Sequence, residues 1–271
     1  MSKFFKYLER IFKTHFSSIW RWLLKAWYDY ISKKDIESEV VFMNFGYTDN
    51  DVEKLSLSRS DERNRQQIQL YYCIARFANI TDKDILEVGS GRGGGADFLT
   101  RTFRPNKYIG LDLCKSAVDF SNMYFYTSGL SFIHGNAIDI PFGDESFDVV
   151  INIESSHAYS DMDKFLSEVK RVLRRRGFAL FADFRTGDDR IRLVNEIKKS
   201  GLVTLKEIDL TDGIVEAIEL DNDRRLKLIE KLIPNLLHSF AKKFAAVKDS
   251  DMYSALAEHK TSYLFFILQK Q

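Results

Sequence analysis

Two side chains stand where a proton could be moved. His157 falls just past the C-terminal end of the apolar run Phe147–Ile153, and Asp183 ends the run Phe178–Asp183. Both runs have the length and composition of buried strands. Ligands of an open α/β sheet bind in the crevice outside the carboxyl ends of its strands, so both side chains are predicted to face one site. A histidine oriented by a carboxylate can take the proton of a hydroxyl, which is otherwise un-ionised near neutral pH. The plain structural alternative for His157 is a cap on the helix predicted to start near Asp161. Of the other histidines, His15, His134, His238 and His259 fall where packed or solvated roles are expected.

A second constellation is Ile85-Leu86-Glu87-Val88-Gly89-Ser90-Gly91-Arg92-Gly93-Gly94-Gly95, a buried-type strand running into a glycine-dense turn and then a helix. Such a turn lets backbone approach a ligand closely and aims free helix N-terminal N–H groups at it. Asp112 follows at the end of the next predicted strand, 21 residues beyond Gly91, where a carboxylate can accept both ribose hydroxyls. A nucleotide-like cofactor is implied, and NAD and S-adenosylmethionine both satisfy these residues.

The elements that must position these groups follow from hydrophobic spacing. Strands are predicted over Asp84–Val88, Tyr108–Leu113, Leu130–His134, Phe147–Ile153, Phe178–Asp183 and Val203–Asp209. Helices are predicted over Ala96–Phe103, Ser116–Ser128, Met162–Arg174 and Asp188–Lys199. Alternation of this kind implies βαβ units with right-handed crossovers, hence a doubly wound, mostly parallel α/β sheet covered on both faces. Residues 212–259 keep helical spacing, and Ser262–Leu268 reads as a last strand. The run Arg174-Arg175-Arg176 reads as the solvated, dipole-compensating end of a helix. Residues 1–64 form an N-terminal helical lid segment and 65–271 the catalytic-type domain, with a helical substrate-side insert over about 187–260.

The chain of 271 residues is 45% hydrophobic and 29% charged, which suits one large folded domain and excludes disordered and collagen-like classes. Cys73 and Cys114 form no CxxC or Cys/His cluster, so no metal site is indicated and a reducing, cytoplasmic compartment is expected. The net charge of +1 conceals +6 on residues 1–34 against −5 on the rest, which argues against a nucleic-acid footprint across the domain. Residues 3–31 place Phe4, Leu8, Ile11, Phe12, Phe16, Ile19, Leu23, Trp27 and Tyr30 on one helical stripe interleaved with Lys and Arg. That pattern fits either a peripheral membrane contact through residues 1–34 or a lid packed on its own domain. No apolar stretch is long enough for a membrane-spanning helix. The sequence sets no oligomeric state.

The stretch Gly135-Asn136-Ala137-Ile138-Asp139-Ile140-Pro141-Phe142, then Asp144-Glu145-Ser146-Phe147-Asp148, then Leu166-x-Glu168-Val169-x-Arg171-Val172-Leu173, taken with Glu87-x-Gly89-x-Gly91, resembles the class I S-adenosylmethionine-dependent methyltransferases. Closer still, Glu39-Val40-Val41-Phe42-Met43-Asn44-Phe45-Gly46-Tyr47, Ser60-Asp61-Glu62-x-Asn64-Arg65, Leu99-Thr100-Arg101-Thr102 and Asn152-x-Glu154-x-Ser156-His157-x-Tyr159 resemble the phthiotriolone/phenolphthiotriolone dimycocerosate methyltransferases over about residues 39–185. Those enzymes O-methylate a hydroxyl of a very hydrophobic, polyketide-derived lipid. The resemblance departs at Asn136, commonly Asp in the superfamily, at Arg175-Arg176-Gly177, and over 187–260.

The resemblance implies S-adenosyl-L-methionine as cofactor, held by Glu87, Gly89, Ser90, Gly91, Gly93, Asp112, Leu113, Asn136, Ala137, Asn152 and Glu154. It implies lid or methionine-moiety contacts at Tyr47, Asn64 and Arg65. The function expected is O-methylation of a hydrophobic small molecule or lipid, with His157 as general base and Asp183 orienting it. C- or N-methylation of a lipophilic substrate is the alternative within the cofactor class. An NAD-dependent oxidoreductase is the alternative outside it; it accounts for Gly89, Gly91, Gly94 and Asp112 but not for the segments 136–142 and 168–173.

Overall fold

The computed structural model describes residues 30–31, 34–35, 37–49 and 55–271. The amphipathic helix expected over residues 3–31, and with it the membrane contact, lies outside the described residues except for Tyr30 and Ile31. Among the described residues no helix is long and apolar enough to cross a membrane.

In chain order the main elements are α1 (Arg65–Ala75), β1 (Asp84–Val88), α2 (Gly94–Phe103), β2 (Lys107–Asp112), α3 (Lys115–Tyr124), β3 (Leu130–His134), β4 (Phe147–Ile153), α4 (Met162–Val172), β5 (Leu173–Thr186), α5 (Gly187–Ser200) and β6 (Val203–Asp209). Helices α6 (Thr211–Leu220), α7 (Asn222–Leu232), α8 (His238–Phe244) and α9 (Asp251–Ala257) follow, and then β7 (Thr261–Gln269). The seven strands lie in the order β3-β2-β1-β4-β5-β7-β6. Those from β3 to β5 are mutually parallel, and β7 runs antiparallel between β5 and β6.

Every residue of β1 is buried, as a strand covered on both faces requires. Its alternation sends Ile85 to the layer of Ile68, Ile74 and Leu99, and Leu86 and Val88 to the layer of Phe165, Leu166 and Val169. Helix α4 shows why such segments are helical. Asp161 Oδ1 caps it by accepting the Lys164 N–H at 2.9 Å, and Phe165, Leu166, Val169 and Val172 form its one buried stripe.

Several boundaries differ from expectation. The helix predicted to reach Arg174 ends at Val172, because Leu173 pairs with Phe147 and opens β5. Arg174 is therefore no solvated helix end: it bridges Asp84 and Asp148, each at 2.8 Å. The helix predicted to reach Ser128 stops at Tyr124. The helical stretch expected over 187–260 is narrower, since α5 covers the sheet and β6 is its edge; the helices inserted between β6 and β7 span 211–257. Residues 41–47 do not stand apart from the domain beyond residue 65, for Phe45 is part of its core.

Candidate active site

The turn after β1 is built by glycine for reasons of space. Gly89 has φ +81°, and a Cβ there would lie 2.3 Å from Ser155 Oγ. At Gly95, in the first turn of α2, a Cβ would lie 2.0 Å from the Tyr71 ring. The turn is tied to β2 by the Gly89 N–H, which donates to the Leu111 carbonyl at 2.7 Å, and by the Gly91 N–H, which donates to Asp112 Oδ2 at 2.8 Å. Asp112 Oδ1 accepts the Cys114 N–H at 2.8 Å. Burial pushes the Asp112 carboxyl up to about 6, against the lowering effect of these N–H donors. Ser90 contributes a buried hydroxyl oxygen without a hydrogen-bond partner.

These residues line a cavity of about 180 Å³ at the carboxyl ends of β1, β2 and β4. Gly89, Ser90, Gly91, Asp112, Leu113, Asn136, Ala137, Glu154 and His157, all expected at the site, are brought together there. The opposite wall comes from Val41, Phe42, Met43 and Asn44. That segment is fastened from below: Asp35 accepts the Glu39 and Val40 N–H groups, each at 2.9 Å, and pairs with Arg92 at 3.0 Å with neither side chain exposed. The Arg92 guanidinium also lies 3.7 Å from the Phe120 ring centroid, a cation–π contact.

His157 and Asp183, expected to face one site, are in contact. A single 3-10 turn, Ser156–Ala158, follows β4 and carries His157 to Asp183, with Nδ1 at 2.9 Å from Oδ1. Asp183 is fully buried and surrounded by donors: the His157 N–H at 2.8 Å, the Phe184 N–H at 2.8 Å, Ser156 Oγ at 2.6 Å and Arg185 at 3.0 Å. Burial alone would raise this carboxyl; the charges of His157 and Arg185 and the donated hydrogen bonds overcome it and hold the group well below the usual carboxylate range. An ionised carboxylate only accepts, so Nδ1 carries a hydrogen, and of the two neutral tautomers the one with its lone pair on Nε2 is the one this contact selects. The His157 side chain is 29% exposed and lines the cavity, so an anchored imidazole ring stands beside open space.

Glu154 sits beside this pair with φ +48°. It accepts the Phe45 N–H at 2.9 Å and the Tyr263 hydroxyl at 2.9 Å. Burial, reinforced by the nearby Asp183 charge, pushes it up to about 8 despite those donors. The cavity wall thus holds a buried carboxyl that favours its neutral form.

Six expected residues lie elsewhere. Strand alternation turns Glu87 to the α1 face, where the Tyr71 and Tyr108 hydroxyls donate to it at 2.8 and 2.9 Å, beneath the turn rather than in the cavity. Gly93 packs against Phe132 and Ser121. Asn152 is buried, its Nδ2 donating to the Val88 carbonyl, Ser155 and Tyr159 at 2.7–2.9 Å, which braces the loop. The Tyr47 hydroxyl donates to Asp49 in a separate crevice beside Cys73. Asn64 meets Arg224 at 3.5 Å, and Arg65 pairs with Glu62 and the Leu55 carbonyl. Conversely, Val41–Asn44, Tyr71, Ser155 and Tyr159 line the cavity without having been singled out. The signal for the first four was the motif Glu39–Tyr47; its reaching residues lie earlier in the motif than Tyr47.

Residues 86–181 match a family model described as a methyltransferase domain. Over 246 residues the chain is 37% identical to the fatty-acid O-methyltransferase of Mycolicibacterium smegmatis, covering 91% of this chain and 89% of that one. The chain belongs to the class I S-adenosylmethionine-dependent methyltransferases. It is also 32% identical over 255 residues to the phthiotriol/phenolphthiotriol dimycocerosates methyltransferase of Mycobacterium tuberculosis, covering 94% and 93% of the two chains. This similarity extends well past the expected 39–185. Among solved structures, the geranyl diphosphate C-methyltransferase of Streptomyces coelicolor superposes with a TM-score of 0.68 at 15% identity, covering 93% of this chain and 97% of that one, a likeness of fold. The enzyme is a methyltransferase whose cofactor is S-adenosylmethionine, and the NAD-dependent oxidoreductase alternative is set aside.

Proposed function

We propose that the enzyme transfers a methyl group to an oxygen of a hydrophobic, lipid-type acceptor, with His157 as general base for a hydroxyl and Asp183 as its positioning partner. The observation that carries this reading is the 2.9 Å Nδ1 bond from a cavity-lining imidazole to a buried, donor-saturated carboxylate. S-adenosylmethionine, when bound, supplies an electrophilic methyl group on a cationic sulfur. The lining is compatible with that molecule: Asp112 keeps lone pairs that would serve ribose hydroxyls, and Asn136 and Ala137 would flank the adenine. Glu154 complements positive charge. The apolar Val41–Met43 wall excludes water from the reacting centre, and His157 Nε2 receives the acceptor's proton as the new carbon–oxygen bond forms.

A carboxyl acceptor is the second reading, favoured by the relative named a fatty-acid O-methyltransferase. A carboxylate is already ionised near neutral pH and needs no base. The two are separated by offering long-chain alcohols and fatty acids with labelled S-adenosylmethionine to the full chain and to His157→Gln. On the first reading the product is a base-stable ether, and the substitution lowers turnover by about 100-fold or more. A saponifiable ester formed equally well by the variant would replace the first reading with the second. Label on carbon or nitrogen would overturn both.

A further inference from the structure

A second cavity, of about 110 Å³, lies between residues 40–45 and helices α7 and α8. Phe42, Met43 and Asn44 line both it and the cofactor-side cavity, so the two spaces share one thin wall of three consecutive residues. Beyond that wall the lining is Leu228, Ile229, Leu232, Phe244 and Ala245. Its charged neighbours are engaged with one another and with backbone. Arg225 donates to the Phe45 and Ala245 carbonyls and to Asp221, and Arg224 pairs with Asp221. Guanidinium groups committed in this way offer little to a polar ligand; Asn44 and Gln67, whose buried Oε1 has no hydrogen-bond partner, are the remaining polar lining of a wall that is otherwise aliphatic and aromatic. An apolar cavity of about 150 Å³ takes a benzene-sized molecule and stays free of water, so this one suits a short run of methylenes.

We propose that this second cavity is the binding site for the distal alkyl chain of the methyl acceptor, which passes the Phe42–Asn44 wall from its reacting oxygen beside His157. The occupant follows from continuity. His157, Met43 and Asn44 line the first cavity, and Phe42, Met43 and Asn44 line the second as well, so an unbranched chain anchored at His157 reaches the second space once the Phe42 and Met43 side chains shift. Methionine suits a wall that must part, being unbranched and adaptable in packing. The site rests on the proposed lipid-type acceptor and adds to it a chain-length rule. Each methylene taken from water into such a space is worth a factor of about four in affinity.

The test uses the full chain with two space-filling variants, Ala245→Phe and Leu228→Trp, neither of which alters a residue of the cofactor-side cavity. Methyl transfer is measured on octanoate, laurate and palmitate and on the matching alcohols. The expected result is a KM that falls with chain length in the parent enzyme. In either variant KM rises about tenfold for the longest acceptors, through loss of about two buried methylenes, with kcat and the octanoate KM unchanged. In parallel, fluorescence of cis-parinaric acid is titrated against protein saturated with S-adenosylhomocysteine. The parent binds it and both variants bind it several-fold more weakly, while S-adenosylhomocysteine affinity and Tm stay at parental values. Parinarate binding that is absent in the parent, or unchanged in both variants together with an unchanged chain-length profile, overturns the site. Absence of methyl transfer to every acceptor, with parinarate binding still lost in the variants, overturns the proposed acceptor chemistry and leaves the alkyl site standing.

Discussion

Asp35→Ala tests whether the wall over the cofactor is held by a single buried anchor. Asp35 and Arg92 pair at 3.0 Å with both side chains fully buried, and Asp35 also accepts two backbone N–H groups at the start of the segment that becomes the wall. Removing the carboxylate leaves a buried guanidinium whose Nε and Nη1 already lack partners. Breaking a buried pair in this way costs about 3–5 kcal/mol. At about 2–4 °C per kcal/mol for a domain of this size, Tm should fall by about 6–20 °C. If about half of that loss falls on the position of residues 41–44, S-adenosylhomocysteine binding weakens by about tenfold or more. Scanning calorimetry and calorimetric titration read the two effects. Asp35→Leu combined with Arg92→Met removes both charges and should recover more than half of the Tm loss, since a buried pair replaced by apolar groups is often neutral. A Tm within about 2 °C of the parent in Asp35→Ala, with cofactor-product affinity unchanged, would refute the anchor.

Glu154→Gln should alter stability in a pH-dependent way. The folded carboxyl titrates near 8 and the unfolded one near about 4.3, so its neutral form contributes stability that is fully present below the unfolded value and lost as pH rises through 8. The Tm of the variant relative to the parent should therefore increase between about pH 5 and pH 9; a constant difference contradicts the assignment. Asp112→Ala deletes the acceptor of the Gly91 and Cys114 N–H groups and the proposed ribose partner. It should weaken S-adenosylhomocysteine binding by about ten- to a hundredfold, and calorimetric titration giving parental affinity would remove Asp112 from the site. Gly89→Ala places a Cβ 2.3 Å from Ser155 Oγ at φ +81° and should destabilise by about 1–3 kcal/mol. Adding Ser155→Gly should return only part of that loss, since it relieves the contact and not the backbone strain; full recovery in urea melts would show that strain contributes nothing.

Glu87 shows where linear motif reading stops. Its place in Glu87-x-Gly89-x-Gly91 marked the cofactor turn, and the turn is there, but the period-two alternation of β1 points its carboxyl at Tyr71 and Tyr108. Tyr71 precedes it by one helix and Tyr108 follows it by another, so neither partner is visible from local sequence. Tyr47, Asn64 and Arg65 illustrate the same limit. Around Tyr47 the resemblance marked the right stretch of chain, and the packing of Phe45 into the core determines that residues 41–44 reach the cavity and Tyr47 turns to Asp49; the stretch of Asn64 and Arg65 does not reach it.

The sequence by itself determined the strand and helix order from β1 onward, the glycine turn, Asp112, and the place of His157 just past the end of β4; Asp183, expected to end its strand, lies inside β5, which continues to Thr186 against β7. These depend on local periodicity, on steric demands at single glycines and on the rule that an open sheet binds at its carboxyl edge. Only the tertiary structure decided that Asp35 anchors Arg92 across 57 residues, that Arg174 joins two strands rather than ending a helix, and that α7 and α8 enclose a second cavity against residues 40–45. Those features are contacts between segments remote in sequence. A residue's own type and spacing state what it can bond, but which partner arrives depends on how whole layers pack.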